Sequence, residues 1–165
     1  MLHGERIHLR PLSHADVERL VEIGAEAGVA RWWGEITAES LRVKADGLDD
    51  ATAFAIEHEG ELIGLAEFSE PGEGDFKHAN IDLFLRSSLH GRGLGRDAVR
   101  TLARWLVTER GHHRLTIDPA LENEQAIRAY EAVGFRRVGV LRRYWRGPDG
   151  EWHDGLLLDL LAEEL

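Results

Sequence analysis

The sequence predicts a single α/β domain built on a mixed sheet, and three features of its order predict it. Residues 51–70 alternate around a tight turn as a hairpin does. Residues 78–133 run strand, helix, strand, helix, the succession that gives a right-handed crossover between neighbouring parallel strands. Residues 135–161 form two further alternating runs about the turn RGPDGE. No repeat, low-complexity tract or Pro/Ser-rich linker divides the 165 residues, a length suited to one core.

Each element has a local reason. ERIHLR (5–10) alternates as a strand, and Ser13 with Asp16 three residues on marks a helix start before VERLVEIGAEA (17–27). AESLRVKADGL (38–48) predicts a second helix. In ATAFAIEHEGELIGLAEFSE (51–70) two alternating runs flank the turn signal HEGE. HANIDLFLRS (78–87) is a strand, followed by a glycine loop and a helix reaching about Glu109. On that helix Leu94, Ala98, Leu102 and Leu106, joined by Val99 and Ala103, form one apolar face. HRLTID (113–118) is the next strand. Asn123 is a good N-cap and Gly134 a good residue just past the end of a helix running to Val133, with Phe135 placed for the apolar contact beyond it.

Composition narrows the function. Thirty acidic against 20 basic residues give a net charge of −10, which disfavours a nucleic-acid partner and favours a cationic small molecule, although acidity also serves solubility alone. There is no cysteine, which excludes disulfides, thiolate metal sites and a cysteine nucleophile. His112 and His113 fit no metal spacing, so no metal is expected. The start MLHGERIHLR lacks the basic and apolar regions of a signal peptide, and no apolar run approaches the roughly 20 residues of a membrane span. The expectation is a cytoplasmic protein with no membrane partner.

Five places invite a functional reading beside a structural one. HGRGLG (90–95) sits where free N–H groups and the positive end of a helix dipole attract anions, and Gly91, Gly93 and Gly95 would let a phosphate approach the main chain; the alternative is a turn that simply needs glycine. Arg96 and Asp97 after Gly95 break the P-loop pattern, and a loop in the second half of the chain does not suit a dinucleotide fold. Alternation places Ile81, Leu83 and Leu85 on one face of their strand and Asp82 on the other. A carboxylate in so apolar a strand costs several kcal/mol unless paired, so Asp82 marks either a salt bridge or a site. Asp118 ends the neighbouring strand, where α/β folds bind ligands, or is only a turn residue before Pro119. Tyr130 shares an apolar face with Ala126, Ile127 and Val133, and Trp32 and Trp33 read equally as core or as the wall of a pocket.

HGRGLG and NEQAIRAYEAVGF (123–135) together resemble the GNAT superfamily of acetyl-CoA-dependent N-acyltransferases. The first resembles that family's pyrophosphate loop, Gln or Arg, two residues, Gly, one residue, then Gly or Ala: Gly93 and Gly95 match, and His90 stands where Gln or Arg is usual. The second resembles the segment N-x-x-A-x-x-x-Y-x-x-x-G-F at every named position. The likeness spans nearly the whole chain and implies a GNAT-like mixed, mostly antiparallel sheet with a central pair of parallel strands, flanked by helices, as one domain over residues 1–165. It implies acetyl-CoA as cosubstrate, held by His90, Gly91, Arg92, Gly93, Leu94, Gly95 and Arg96, with Phe84 and Leu85 of the strand and Ala126 beside it. Asn123 would contact the pantetheine arm, Tyr130 would protonate or hydrogen-bond the departing thiolate, and a backbone N–H near Phe84 would polarise the thioester carbonyl.

Within the superfamily, RWWG (31–34), IDLFL (81–85) and IDPALENEQAIRAYEAVGF (117–135) resemble aminoglycoside 6′-N-acetyltransferases. That likeness implies Asp82 as base and Asp118 as anchor for an ammonium group, with Trp32 and Trp33 at the acceptor pocket. The tail LRRYWRGPDGEWHDGLLLDLL is instead similar to the end of GNAT proteins that acetylate protein N-termini or whose acceptor is not known. A protein N-terminus or a small metabolite amine therefore stands as the alternative acceptor, and an acyl-CoA-binding sensor without turnover as the non-enzymatic alternative. A homodimer stays open.

Overall fold

The computed structural model describes residues 1–165. Its strands are β1 (Leu2–His3), β2 (His8–Pro11), β3 (Thr52–His58), β4 (Glu61–Ser69), β5 (Ala79–Leu85), β6 (Arg114–Ile117), β7 (Arg136–Arg146) and β8 (Trp152–Leu161). They form one sheet in the order β1-β2-β3-β4-β5-β6-β8-β7, antiparallel throughout except for β5 beside β6. The helices are α1 (Val17–Gly24), α2 (Ala27–Trp33), α3 (Ala38–Ala45), α4 (Leu94–Thr108) and α5 (Glu124–Val133). Leu94, Leu102 and Leu106 of α4 and Ile127 of α5 pack with Ile81, Leu83, Leu115 and Leu158 on one face of the sheet. Leu20, Ile23 and Leu41 of α1 and α3 meet Leu65 and Phe84 on the other. No helix is long and apolar enough to cross a membrane.

The 51–70 hairpin forms as its sequence predicts. Glu59 (φ 51°) and Gly60 (φ 81°) make the two-residue turn in which both central residues take positive φ. The parallel pair and its crossover helix α4 also match the expectation.

Two expectations at the N-terminal end are corrected. The strand expected at 5–10 begins only at His8, because the N–H groups of Glu5, Arg6 and Ile7 all donate to the buried carboxylate of Asp97 at 3.0, 2.7 and 3.2 Å. Those amides are committed to the first turns of α4 and cannot join a ladder. The single helix expected over 17–27 is two. It stops at Gly24, where a side chain would run into Ile36, and restarts after Glu26, whose extended backbone caps α2 and whose carboxylate accepts from the Ser87 N–H at 2.7 Å.

The parallel pairing is short. Only Ala79 with Leu115 and Asn80 with Thr116 face each other. Beyond them β5 stays with β4 as far as Leu85 opposite Gly64, whereas the chain leaving β6 follows β8. The Pro119 carbonyl accepts from Leu156 N–H at 2.9 Å and Leu121 N–H donates to the Asp154 carbonyl at 3.0 Å. Pro119 has no N–H of its own to offer β5. Two strands held by different outer neighbours part, and a wedge opens between them.

Replacing Asp97 by alanine leaves three amides without their acceptor. The expected cost is about 3 kcal/mol, since bonds to a charged acceptor are worth roughly twice neutral ones and the orphaned groups keep their desolvation penalty. Urea denaturation of Asp97→Ala against the parent protein measures it.

Candidate active site

The wedge widens into a cleft of about 950 Å³ between the glycine loop, α5, β5 and the β7 edge. At one end, a short turn at Ser87–Leu89 leads from β5 into the loop. Gly91 (φ 75°) and Gly93 (φ 81°) take the left-handed conformation that glycine alone adopts freely, and Gly93 caps α4. Gly95 is different: its backbone is ordinary, and a Cβ there would touch only Leu85 at 3.4 Å. The turn therefore explains two of the three glycines, and an open approach to the main chain accounts for the third.

The first bond of α4 runs from Asp97 N–H to the Gly93 carbonyl, so the N–H groups of Leu94, Gly95 and Arg96 precede it and have no helical partner. All three residues line the cleft. Free amides at the positive end of a 15-residue helix, beside a glycine that nothing fills, suit a pyrophosphate. His90 has another task. Its Nε2 donates to the Leu85 carbonyl at 2.8 Å and straps the loop to β5. The Arg92 carbonyl is tied in turn by Arg6 Nη1 at 2.7 Å.

The strand edge refines the expectation for Phe84. Arg86 N–H donates to Ile63 of β4, and alternation turns Phe84 and Asp82 main-chain groups the same way. The opposite edge, facing the wedge, carries Leu83 and Leu85. The Leu83 carbonyl accepts from Trp33 Nε1 at 3.2 Å, and the Leu83 N–H donates to Asp82 Oδ1 at 2.9 Å. The wedge-facing amide beyond the end of pairing is thus Leu85, one residue from the expected position. The Phe84 ring packs under Trp33 at 5.0 Å in an edge-on contact.

At the other end, Asp82, Asp118 and Tyr130 line the same cleft. Asn123 accepts from Ala126 N–H at 3.3 Å and starts α5, which carries Tyr130 inward with only 7% of its surface exposed. Asp82 opens onto the cleft yet is crowded by protein, and burial, with Glu67 and Asp118 nearby, pushes its carboxyl up to about 8. Asp118 is also raised, by burial, although the Tyr144 hydroxyl donates to it. Burial raises the Tyr130 phenol, and the Asp82 and Asp118 carboxylates raise it further, which keeps it a proton donor. His112, by contrast, is buried in a structural bond to Glu70 at 2.6 Å.

Among the lining residues that the sequence did not single out, Glu67, Tyr144 and Trp145 stand nearest the chemistry. Glu67 stands directly across the β4–β5 register from Asp82. Tyr144 and Trp145 reach the cleft because β7 bulges between Leu141 and Trp145, with Arg143 at φ 48°. The signal for Glu67 was a charge in the apolar run ELIGLAEF; nothing local marks the bulge. Trp145 stands 6.4 Å from Trp32 across the mouth, and the Arg31 guanidinium covers the Trp32 ring at 4.4 Å. Trp33 belongs to the wall, half-buried against Phe84.

The comparisons with known proteins agree with this geometry. The family model described as "Acetyltransferase (GNAT) domain" matches residues 6–136. The spermidine N(1)-acetyltransferase of Escherichia coli K12 is 27% identical over 147 residues, covering 86% of this chain and 78% of its own. An aminoglycoside N(6′)-acetyltransferase type 1 of Klebsiella pneumoniae is 27% identical over 165 residues, covering 89% and 80%. Among solved structures, Mycobacterium smegmatis RimJ in complex with CoA-disulfide superposes with a TM-score of 0.83 at 27% identity, over 96% of this chain and 83% of that one. With a parallel pair that parts, a glycine-rich helix start at the parting and a matching family model over most of its length, the chain belongs to the GNAT family of acetyl-CoA-dependent N-acetyltransferases.

Proposed function

We propose that this acetyltransferase acts on a primary amine of an aminoglycoside-like polycation, by direct attack of the amine on the thioester. The observation that carries the reading is that Asp82 and Asp118, from the two parted strands, share one cleft with the Tyr130 hydroxyl. Acetyl-CoA supplies the activated acetyl group. The amides of Leu94, Gly95 and Arg96 hold its pyrophosphate, and the Leu85 N–H faces the carbonyl whose oxygen gains charge. Asp118, steadied by Tyr144, anchors one ammonium group of the acceptor. A second amine must lose its proton before it attacks. Asp82, whose carboxyl is pushed up to about 8, accepts that proton in its ionised form, which is populated as the pH approaches 8. Tyr130, held protonated, donates to the leaving thiolate. A peptide N-terminus, with a single ammonium, uses less of this acidic cleft.

Coenzyme A is expected to raise the melting temperature, since a ligand bound only by the native state adds about 2.7 kcal/mol at a hundredfold excess over Kd. Gly95→Ala sharpens the test. It leaves the unliganded protein as stable or slightly more so, because alanine is the better helix former, yet places a methyl group at the phosphate approach and shrinks the coenzyme A shift. Thermal melts with and without ligand read both effects.

Tyr130→Phe is expected to lower kcat by roughly 10- to 1,000-fold with little change in stability, as loss of a proton donor does. The parent kcat/KM is expected to rise with pH through about 8, as Asp82 ionises, and Asp82→Asn is expected to remove that limb. The same group is expected to set a stability trend whose sign follows from the direction of its shift. Its folded pKa lies above the ordinary 3.8, so the native state binds the extra proton and stability falls as pH rises from about 4 to about 8. Asp82→Asn removes that loss, and its advantage in urea melts grows across the same window.

A panel of amines followed by thiol release tests the acceptor. Aminoglycosides with a 6′-amine are expected to give the highest kcat/KM, 6′-hydroxyl analogues to bind without reacting there, and Asp118→Asn to act mainly on KM. Peptides outperforming every aminoglycoside, with Asp118→Asn fully active on them, would replace the antibiotic-like acceptor by a protein N-terminus. Spermidine outperforming both would replace it by a linear polyamine.

A further inference from the structure

The cleft floor holds a charge that the proposed chemistry does not use. Glu67, on β4, is the direct cross-strand neighbour of Asp82, and its side chain is only 14% exposed. Two carboxylates side by side suppress each other's ionisation, which would leave Asp82 a poor proton acceptor. The fold supplies a remedy from the next layer. On α3, Leu41 anchors the helix in the core, and Lys44, three residues on and thus on the same face, is carried down to the sheet. Its Nζ lies 2.9 Å from Glu67 Oε2 and 3.4 Å from Asp49 Oδ1, with the side chain 16% exposed. Asp49 is itself fixed by the Ala51 N–H at 2.8 Å.

The charged groups that act on Asp82 are Glu67 on β4, Lys44 on α3 and Asp118 after β6; Asp82 acts in turn on the hydroxyls of Tyr130 on α5 and Tyr144 on β7, and Asp49, just beyond α3, acts on Lys44. Lys44 is the cation among them. Burial pulls its own pKa down, but the Glu67 and Asp49 carboxylates more than offset that, so it stays charged.

We propose that Lys44 is a positioning residue for acetyl transfer: by pairing with Glu67 it cancels the charge directly opposite Asp82 and keeps Asp82 available to take the acceptor's proton. The proposal rests on the reading of Asp82 given above. It also sets specificity, because with Glu67 paired the cleft offers two free carboxylates rather than three. Removal of Lys44 frees the third, which favours acceptors carrying an additional ammonium group.

The decisive measurement is the titration of the Asp82 carboxyl by carbon-13 NMR in the ligand-free protein, with the pH profile of kcat/KM alongside. Lys44→Met is expected to raise the Asp82 midpoint by about half a unit or more, and Glu67→Gln to lower it, the directions a lost cation and a lost anion impose. The double variant Lys44→Met/Glu67→Gln is expected to fall back toward the parent midpoint, and Lys44→Arg to keep it. The KM for spermidine relative to that for hexylamine is expected to fall in Lys44→Met. A merely structural lysine would move stability without moving the midpoint, and without rescue by Glu67→Gln. An Asp82 midpoint unchanged in Lys44→Met overturns the proposal; if that variant does not fold, an unchanged midpoint in Glu67→Gln does so. Failure of the underlying reading looks different: Asp82→Asn then keeps the pH limb of kcat/KM, while the carboxyl titration still responds to Lys44.

Discussion

The structure depends on a competition for the backbone of two strands. β5 and β6 are bonded for two residue pairs, after which each is claimed by its outer neighbour, β5 by β4 and the chain beyond β6 by β8. A parallel pair that stayed closed would spend the wedge-facing amides of Leu83 and Leu85 on a ladder. Because it parts, the Leu83 and Leu85 edge is free for other partners: Trp33 and His90 take its carbonyls, and the Leu85 N–H faces the cleft. The opening of a binding space and the exposure of hydrogen-bonding groups inside it thus have a single cause.

What surrounds the parting keeps it in place. The β5 end is held by His90, by Trp33 and by the bond from Ser87 N–H to Glu26, which draws α2 to the same corner. The start of α4 is held by Asp97, which gathers three amides of the N-terminal turn. The amides of residues 94–96 are therefore presented from a helix whose first turns are locked by contacts more than 80 residues away in sequence. A helix N-terminus fixed before the anion arrives loses little freedom on binding it.

Electrostatics give the cleft two ends of opposite character. The glycine loop presents free helix amides at one end, and the floor carries Asp82 and Asp118 at the other, with Glu67 paired to Lys44 beside Asp82. Burial of a carboxylate is costly, and together with the neighbouring Glu67 and Asp118 it pushes the Asp82 carboxyl up to about 8.

The sequence alone determined the hairpin at 51–70, the crossover at 78–118, the capping of α5 by Asn123 and the helix start that follows HGRGLG. Each of these is written in neighbours along the chain: alternation, helical periodicity and cap residues act over a few positions. It also singled out Asp82, because a carboxylate in IDLFL contradicts its surroundings. It did not reveal that Glu5, Arg6 and Ile7 serve Asp97, that Phe84 turns its amide to β4 while Leu85 faces the wedge, or that Glu67, Lys44, Tyr144 and Trp145 gather at Asp82 and Asp118. Those facts rest on strand register, on a bulge in β7 and on which neighbour wins each strand edge. They are decided by contacts between segments far apart in sequence, where a shift of one residue reverses every side chain, and only the folded chain fixes them.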